Sequence, residues 1–230
     1  MGFLLVFSSF RFISGRHRKA RHARTDWRKC VLPENYNISG RGNASVFWTN
    51  PAVFRKKTAL CAEKNEADVA AAYLAAAKAE GASGPSFEPL ICFGPACAEP
   101  HHSTGAENTL RPGDSVIIDV GLAWQSYASD MTRSVFFGEA SDEQKRVYDL
   151  VCAANAAGRA AVRPGVPLKE FDRAARKVIE DAGYGKYFIH RTGHGIGLQV
   201  HEPPDVSSVS ETIARPGMVF SIEPGVYLPG

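Results

Sequence analysis

The sequence predicts an α+β domain. Three observations favour this class: short apolar segments typical of strands, longer segments with apolar residues at helical spacing, and further strand-like segments after them. Strands and helices that occur in separate runs, rather than in strict alternation, are typical of α+β folds. The 230 residues, of which 44% are hydrophobic, suffice to bury one sizeable core.

Capping residues mark where the helices begin. Asn65 and Asp68 form a capping pair, and Ser141 and Gln144 form a capping box, because in each pair the side chains can accept from each other's backbone N–H groups. A third helix carries its apolar residues on one face, and Gly183 is expected to cap it. The predicted helices span residues 65–80, 141–162 and 168–182.

The strand-like segments are short and bounded by turn residues. Pro112-Gly113-Asp114 is a turn that leads into the strand ending at Asp119, and Asp130 lies at the junction of the next two strands. An antiparallel hairpin with a turn around Gly121 to Trp124 could bring these two acids face to face. The predicted strands span residues 90–93, 115–119, 123–129, 133–137, 187–190 and 217–223.

Charge divides the chain into two parts. Residues 1–60 hold 12 Lys and Arg against 2 acids, and residues 61–230 hold 15 against 22, so charges of +10 and −7 give the net +3. A basic arm allows a nucleic-acid role, but the arm has neither a nucleic-acid motif nor regular periodicity. We therefore interpret residues 1–60 as a poorly ordered basic leader, either a transit segment or an upstream start, and residues 61–230 as the domain.

Targeting signals are weak. The apolar run from Phe3 to Phe7 is far shorter than the roughly 20 residues that cross a bilayer. The stretch from Arg11 to Lys29 is Arg-rich with a single acid, as transit segments are. Five cysteines without useful spacing are typical of reduced thiols. These features predict a cytoplasmic protein, with a mitochondrial location as the alternative.

Three acids lie in or beside apolar segments that are predicted to be strands. Asp119 follows Ser-Val-Ile-Ile, Asp130 closes Ala-Trp-Gln-Ser-Tyr-Ala-Ser, and Glu223 follows Met-Val-Phe-Ser-Ile. Burial of three anions is very unfavourable unless a positive group neutralises them. A metal cation is the simplest such group, so the sequence predicts a metal centre with carboxylate and imidazole ligands.

Four motifs around these acids resemble those of the pita-bread metallopeptidases, which include methionine aminopeptidase, aminopeptidase P and prolidase. The motifs are Ile-Asp-Val-Gly at 118–121, Ser-Asp-Met-Thr-Arg at 129–133, Thr-Gly-His-Gly-Ile-Gly-Leu-Gln-Val-His-Glu-Pro-Pro at 192–204 and Ser-Ile-Glu-Pro-Gly at 221–225. The match covers roughly residues 61–230. The His-Glu-Pro-Pro ending and Glu-Pro-His-His at 99–102 look most like the Xaa-Pro peptidase branch.

The resemblance implies an incomplete pita-bread fold, in which helices cover a curved antiparallel sheet, and a dinuclear metal site. By resemblance, His194 and Glu223 hold one divalent ion, Asp119 holds the other, and Asp130 bridges both. Manganese, cobalt or zinc would suit these ligands, and the carboxylate-rich set favours manganese. The implied substrate is a peptide with a free N-terminus, the resemblance leaves a homodimer open, and no membrane partner is expected.

Two histidines receive catalytic roles by resemblance. His201 would contact the substrate and stabilise the oxyanion that develops on the scissile carbonyl, with a surface pair to Glu202 as the alternative. His101 would lie near the substrate nitrogen, and His102 is the alternative for that role. Flanking glycines at His194 would let the backbone approach a metal or substrate closely.

One departure from the family pattern limits the prediction. The pattern includes a later Glu that bridges both ions, and no Glu follows Glu223 in this sequence. We therefore expect a weakened second metal site and an uncovered strand edge. The function predicted is a metal-dependent Xaa-Pro exopeptidase; a catalytically impaired or non-enzymatic relative and a methionine aminopeptidase are the alternatives.

Overall fold

The computed structural model describes residues 3–6, 9–12, 63–100 and 102–229. Within these residues, helices and small antiparallel sheets combine as an α+β fold, without a closed barrel, as the sequence predicts. The helices are α1 (Glu66–Ala79), α2 (Asp142–Ala161) and α3 (Lys169–Asp181). The strands are β1 (Phe3–Val6), β2 (Ser9–Phe12), β3 (Gly84–Pro85), β4 (Leu90–Phe93), β5 (Ser115–Val120), β6 (Leu122–Trp124), β7 (Tyr127–Ala128), β8 (Met131–Phe136), β9 (Gly193–Gly195), β10 (Glu202–Val206), β11 (Val219–Ile222) and β12 (Gly225–Leu228).

Helix α1 covers a three-stranded antiparallel sheet in the order β4-β5-β8. The predicted cap is present: the Asn65 side chain accepts from the Asp68 N–H, and the Asp68 carboxylate accepts from the Asn65 N–H. Val69, Tyr73 and Ala77 occupy one buried face of the helix and belong to the same core cluster as residues of β4 and β5. The helical spacing of apolar residues thus identified the buried face.

A small hairpin interrupts the connection between β5 and β8, and here one prediction is wrong. Residues 123–129 were expected to form one strand, but Gln125 and Ser126 have φ values of 48° and 70° and form a turn that separates β6 from β7. The expected turn at Gly121 to Trp124 is wrong for the same reason, since β6 occupies most of that stretch. Two successive positive-φ residues match the twist of a tight hairpin.

Helices α2 and α3 pack against each other. Helix α2 also contacts β11 and β12, and helix α3 contacts β10. Ser141 and Gln144 form the predicted capping box of α2. Phe171, Ala175 and Ile179 form the buried face of α3. Both helices keep the bounds that the sequence predicts to within about one residue.

The second sheet has the order β10-β9-β11-β2, and β12 pairs with β1. The strand expected at 187–190 is absent from the described structure, because Gly185–Tyr187 forms a 3-10 helix and Phe188 continues from it as an irregular segment. Strand β10 was not foreseen, since it contains Pro203 and Pro204 and prolines lack the N–H that ladders require. Strand β10 tolerates them at the edge of the sheet.

Residues 13–62, most of the expected leader, lie outside the described part of the chain, so the division at residue 60 stays a prediction. Within the expected leader, β1 pairs with β12 and β2 pairs with β11, both antiparallel. The sequence had indicated no strand periodicity there. Among the described residues, no helix is both long and apolar enough to cross a membrane.

Candidate metal centre

Asp119 and Asp130 come from the β4-β5-β8 sheet. Asp119 lies near the end of β5, directly opposite Thr132 of β8, whose hydroxyl donates to Asp119 Oδ1 at 2.7 Å. Asp130 is only 6% exposed and immediately precedes β8. Pairing of β5 with β8 therefore brings the two carboxylates to the same end of one sheet, although the connecting hairpin differs from the one expected.

His194 comes from β9 in the second sheet, and it is 3% exposed. Glycines flank it because neighbouring strands approach closely: a Cβ on Gly193 would lie 2.0 Å from the Ser221 carbonyl oxygen, and one on Gly195 would lie 2.5 Å from the Glu202 carbonyl oxygen. The glycines were expected to admit a metal or substrate. The structure shows that they admit adjacent backbone, which fixes where the imidazole lies; the approach to a metal or substrate stays a prediction.

Glu223 follows β11, and the imidazole of His194 joins it to Asp130. His194 Nε2 lies 3.1 Å from Glu223 Oε1 and 3.3 Å from Asp130 Oδ2. The Ser221 hydroxyl, which is fully buried, donates to Glu223 Oε1 at 2.6 Å and accepts from the His194 backbone N–H at 3.0 Å. Ser221 thus links Glu223 to the backbone of His194, a role that no sequence pattern indicated.

The arrangement fits a divalent cation. His194 Nδ1 lies 3.0 Å from the Gly195 carbonyl oxygen, which accepts only if Nδ1 carries the proton. Once Nε2 gives up its own proton, its lone pair points towards the carboxylates, and one nitrogen with several carboxylate oxygens is a common ligand set for zinc or manganese. Hydrogen bonds from Thr132 and Ser221 orient the carboxylates, as outer-shell partners do around bound metals.

Mutual repulsion and burial perturb the charges at this site. Burial, followed by the charge of Asp130, raises the pKa of Asp119 to about 7. Burial also raises the pKa of Asp130. Burial opposes the charged form of His194, but hydrogen bonds to Asp130 and Glu223 outweigh it and raise the pKa of the imidazole to about 10. Burial acts against ionised Glu223 as well, yet the hydrogen bond and charge of His194 lower its pKa.

His201 lies beside this group at the surface. Its ring centroid is 4.2 Å from that of His194, with the planes at 82°, and burial lowers its pKa although the residue is exposed overall. Potential ligand atoms of Asp130, His194 and His201 lie within 4.8 Å of one another. A lowered pKa favours a neutral imidazole, which can either donate to a substrate oxygen or ligate a cation.

The histidine pair at 101–102 is described only in part, because His101 lies outside the described residues. His102 Nε2 lies 2.7 Å from Glu66 Oε2, a carboxylate that is fully buried at the start of α1. Glu66 also accepts from the backbone N–H of Phe93. His102 is thus engaged in fixing its loop to α1, which supports the preference for His101 in the substrate-contacting role.

His190 is a buried histidine that the sequence did not single out. Its Nε2 is buried without a hydrogen-bond partner among the described residues, and its ring packs edge-on against Tyr227 at 5.4 Å. Burial lowers the pKa of His190, while the charge of Glu223 acts in the opposite direction. The available signal was its spacing, four residues before His194, but the expected strand at 187–190 gave no reason to direct it at the site.

Comparison with known proteins agrees with this geometry. The model of metallopeptidase family M24 matches residues 46–230. The chain belongs to metallopeptidase family M24. An uncharacterized peptidase of Staphylococcus aureus is 44% identical over 153 residues, which are 66% of this chain and 43% of that protein. The chain therefore spans less than half the length of the curated relatives it matches.

Solved structures of the family have the same fold. A dipeptidase from Pyrococcus horikoshii is 41% identical with a TM-score of 0.75, covering 79% of this chain and 51% of that one. An X-Pro aminopeptidase from Thermotoga maritima is 34% identical with a TM-score of 0.77, covering 81% and 53%. A prolidase from Pyrococcus furiosus is 34% identical with a TM-score of 0.74, covering 83% and 60%. The expected resemblance to the Xaa-Pro peptidase branch is confirmed.

Proposed function

We propose that this chain is a metal-dependent exopeptidase that hydrolyses Xaa-Pro or other N-terminal peptide bonds at the site formed by Asp119, Asp130, His194 and Glu223. The observation that carries the proposal is the approach of His194 Nε2 to Glu223 and Asp130 within 3.3 Å. Names of the relatives, including dipeptidase, prolidase and X-Pro aminopeptidase, support the substrate class.

Each residue of the site has a proposed role. His194 and Glu223 would hold one divalent ion, Asp119 would hold a second, and Asp130 would contribute to both sites; manganese would be the favoured metal because the set is rich in carboxylates. A bound divalent ion supplies Lewis-acid polarisation of the scissile carbonyl and lowers the pKa of water. Thr132 and Ser221 keep the carboxylates oriented through the hydrogen bonds they donate.

The histidines and carboxylates also stabilise the charge that develops during the reaction and transfer its protons. His201 is neutral at physiological pH because its pKa is lowered, so one ring N–H donates to the oxyanion that develops on the carbonyl. The carboxylates accept the proton of the attacking water and deliver it to the leaving nitrogen. His101 contacts the substrate near its amide nitrogen or N-terminus. These steps need the imidazoles and carboxylates close together, and the approach of His194 to Asp130 and Glu223 supports that requirement.

The proposal is tested with the purified chain, its metal content and a set of peptides. After loading with Mn²⁺, Co²⁺ or Zn²⁺, we expect about two ions per chain and cleavage of Xaa-Pro dipeptides or tripeptides in preference to Met-Ala-Ser. Asp130→Asn should lose both binding and turnover, whereas Asp149→Asn, an exposed acid of α2, should lose neither. Cleavage of Met-Ala-Ser alone would support a methionine aminopeptidase.

The number of metal ions bound per chain separates an active enzyme from a catalytically impaired or non-enzymatic relative. One ion per chain and no turnover would favour a non-enzymatic or impaired member of the family. His201→Ala tests the role of this histidine: a lower kcat with unchanged metal affinity agrees with oxyanion stabilisation. Weaker metal affinity in that variant would assign His201 to the ligands. We also propose a cytoplasmic location, which localisation of a tagged chain would test.

A further inference from the structure

Helix α3 carries a partly buried ion pair beside the segment that leads to the candidate metal centre. Asp172 is fully buried, and Arg176 lies one turn later on the same helix. Arg176 Nε donates to Asp172 Oδ2 at 2.9 Å, and Nη2 donates to Oδ1 at 3.1 Å. A buried pair costs desolvation energy that further hydrogen bonds must offset. The residues that form those further hydrogen bonds show which part of the chain the ion pair keeps in position.

Among the described residues, every further hydrogen bond of the two side chains goes to residues 188–192. Arg176 donates to the carbonyl oxygens of Phe188 and His190, each at 2.9 Å, and its guanidinium carbon lies 4.0 Å from the centroid of the Phe188 ring. Asp172 Oδ1 accepts from the Thr192 hydroxyl at 2.7 Å and from the Thr192 N–H at 3.2 Å. The pair thus contacts alternate residues of an irregular segment that has no ladder of its own.

This segment is joined directly to the proposed ligands. The Thr192 carbonyl oxygen accepts from the backbone N–H of Glu223 at 2.7 Å. His194 follows two residues after Thr192, at the start of β9. Thr192, which is fully buried, therefore connects helix α3 on one side with both ligand-bearing strands on the other.

We propose that Asp172 and Arg176 are positioning residues that act through Thr192 to present His194 and Glu223 to the cation. This inference rests on the proposed function, because it takes those two residues to be ligands. A pair that served only to stabilise helix α3 would need the contacts between positions four apart and nothing more. The four hydrogen bonds to Phe188, His190 and Thr192 are accounted for only by a role in holding that segment.

Thr192 offers a matched pair of substitutions. Thr192→Val has nearly the same shape and removes the hydroxyl that donates to Asp172, whereas Thr192→Ser keeps the hydroxyl. Asp172→Asn removes the charge that holds Arg176 while keeping the acceptor oxygen. Val69→Ala, on helix α1 in a different core cluster, serves as a control for general destabilisation. None of these residues is a proposed ligand.

Two measurements on the full chain report the effect. Amide hydrogen exchange of the metal-free protein reports whether residues 188–195 and 219–224 become locally mobile. Titration with Co²⁺, followed by its visible absorption, reports affinity and ligand geometry without any need for turnover. We expect Thr192→Val and Asp172→Asn to accelerate exchange in those two stretches and to weaken cobalt binding about tenfold or more, with altered absorption bands. Thr192→Ser should resemble the wild type.

The inference is overturned if Thr192→Val and Asp172→Asn bind cobalt as tightly as the wild type with unchanged spectra. It is also overturned if Val69→Ala, at equal loss of stability, weakens cobalt binding as much as they do. A wild-type chain that binds no cobalt contradicts the proposed function instead. The hydrogen-exchange comparison would then still test the inference. Equal exchange rates in the wild type and Thr192→Val would show that the Thr192 hydroxyl does not restrain residues 188–192.

Discussion

The imidazole of His194 lies within 3.3 Å of carboxylate oxygens of both Asp130 and Glu223, and this proximity sets the charge of all three groups. Burial makes each isolated anion unfavourable. When no cation is bound, the protonated imidazole of His194 therefore balances the charge of the carboxylates. Protons and cations therefore compete for the same oxygens and the same nitrogen. The pH dependence of the site follows from this competition.

Cation affinity should fall as the pH is lowered through about 7, because Asp119, with a pKa raised to about 7, then holds a proton that the cation must displace. Above that pH, affinity should keep rising towards about 10, since His194 must also lose its proton. Each displaced proton changes the affinity by about tenfold per pH unit. Calorimetric titration with Mn²⁺ between pH 5.5 and 8, in buffers of different ionisation heat, measures both affinity and proton release.

The raised pKa of Asp119 affects the stability of the metal-free fold in the opposite direction: low pH weakens cation binding but favours folding. Asp119 binds its proton more tightly in the folded chain than in the unfolded one, so it favours folding at low pH. That contribution is lost as the pH rises from about 4 to about 7. Cation affinity that stays flat from pH 5.5 to 8 would contradict the raised pKa of Asp119.

At the scale of elements, the backbones of the short strands β9 and β11 approach so closely at Gly193 that no side chain fits there. Only hydrogen fits at Gly193, because the Ser221 carbonyl oxygen occupies the position of a side chain. The glycine motif is therefore a requirement of strand packing as well as of the site. Not every glycine carries this requirement: at Gly84 a Cβ would meet nothing within 4 Å.

Gly193→Ala should destabilise the fold by about 3 kcal/mol or more, because the new methyl group forces β9 and β11 apart. The cobalt affinity of any folded fraction should fall with it, since His194 moves with β9. Gly84→Ala is the matched control and should change stability by less than about 0.5 kcal/mol. Urea denaturation measures both, and equal stability of the two variants would refute the close approach of the strands.

The capping box of α2 links this helix to the first sheet. Gln144 accepts from the Ser141 N–H and also donates from Nε2 to the Ser115 hydroxyl and the Gly113 carbonyl oxygen. The cap thus connects the start of α2 to the start of β5, whose other end carries Asp119. A local sequence signal here also determines a tertiary contact.

Ser141→Ala should lower the free energy of unfolding by about 1 kcal/mol, because the first turn of α2 loses its side-chain acceptor. Ser141→Asn should restore most of this stability, since Asn is an equally good N-cap residue. Both variants should bind cobalt normally because the cap is remote from the ligands. Unfolding in urea distinguishes them; no difference between Ala and Asn would show that the cap contributes nothing.

At the scale of the whole molecule, the site forms where two separate sheets meet. Asp119 lies in the β4-β5-β8 sheet and Asp130 immediately before β8, whereas His194 lies in β9 of the other sheet and Glu223 immediately after β11. Helices α2 and α3 pack behind the second sheet and hold it through buried polar groups; for example, Asn155 donates to the Ile222 carbonyl oxygen at 2.7 Å. Integrity of the site therefore depends on contacts far from the ligands.

Strands β1 and β2 cover hydrogen-bonding edges of β12 and β11. A chain lacking residues 1–12 should leave those edges open to pairing with other chains, and we expect it to self-associate and to melt at a lower temperature. Sedimentation velocity across a range of concentrations measures the association. A deletion variant that stays as monodisperse and as stable as the full chain would contradict the role of these strands.

Much of the fold followed from local patterns. Caps at Asn65 and Ser141 located two helices, and apolar spacing indicated the buried faces of α1 and α3, because both signals depend on residues only three or four positions apart. The hairpin at Gln125–Ser126 was missed because neither residue is a glycine, the usual carrier of positive φ. Strand β10 was missed because its prolines argue against a strand unless an edge position is known in advance.

The sequence by itself supplied the candidate residues, because acids beside apolar segments predict a cation site and four motifs in a fixed order resemble those of a metallopeptidase family. Only the tertiary structure decided how they are held: the 3.1 and 3.3 Å approaches to His194, the tie through Ser221, and the hold of Asp172 and Arg176 on residues 188–192. The physical reason is distance along the chain. Hydrogen bonds between residues 20 or more positions apart leave no periodic trace in the sequence, because they depend on how helices and sheets pack rather than on local spacing.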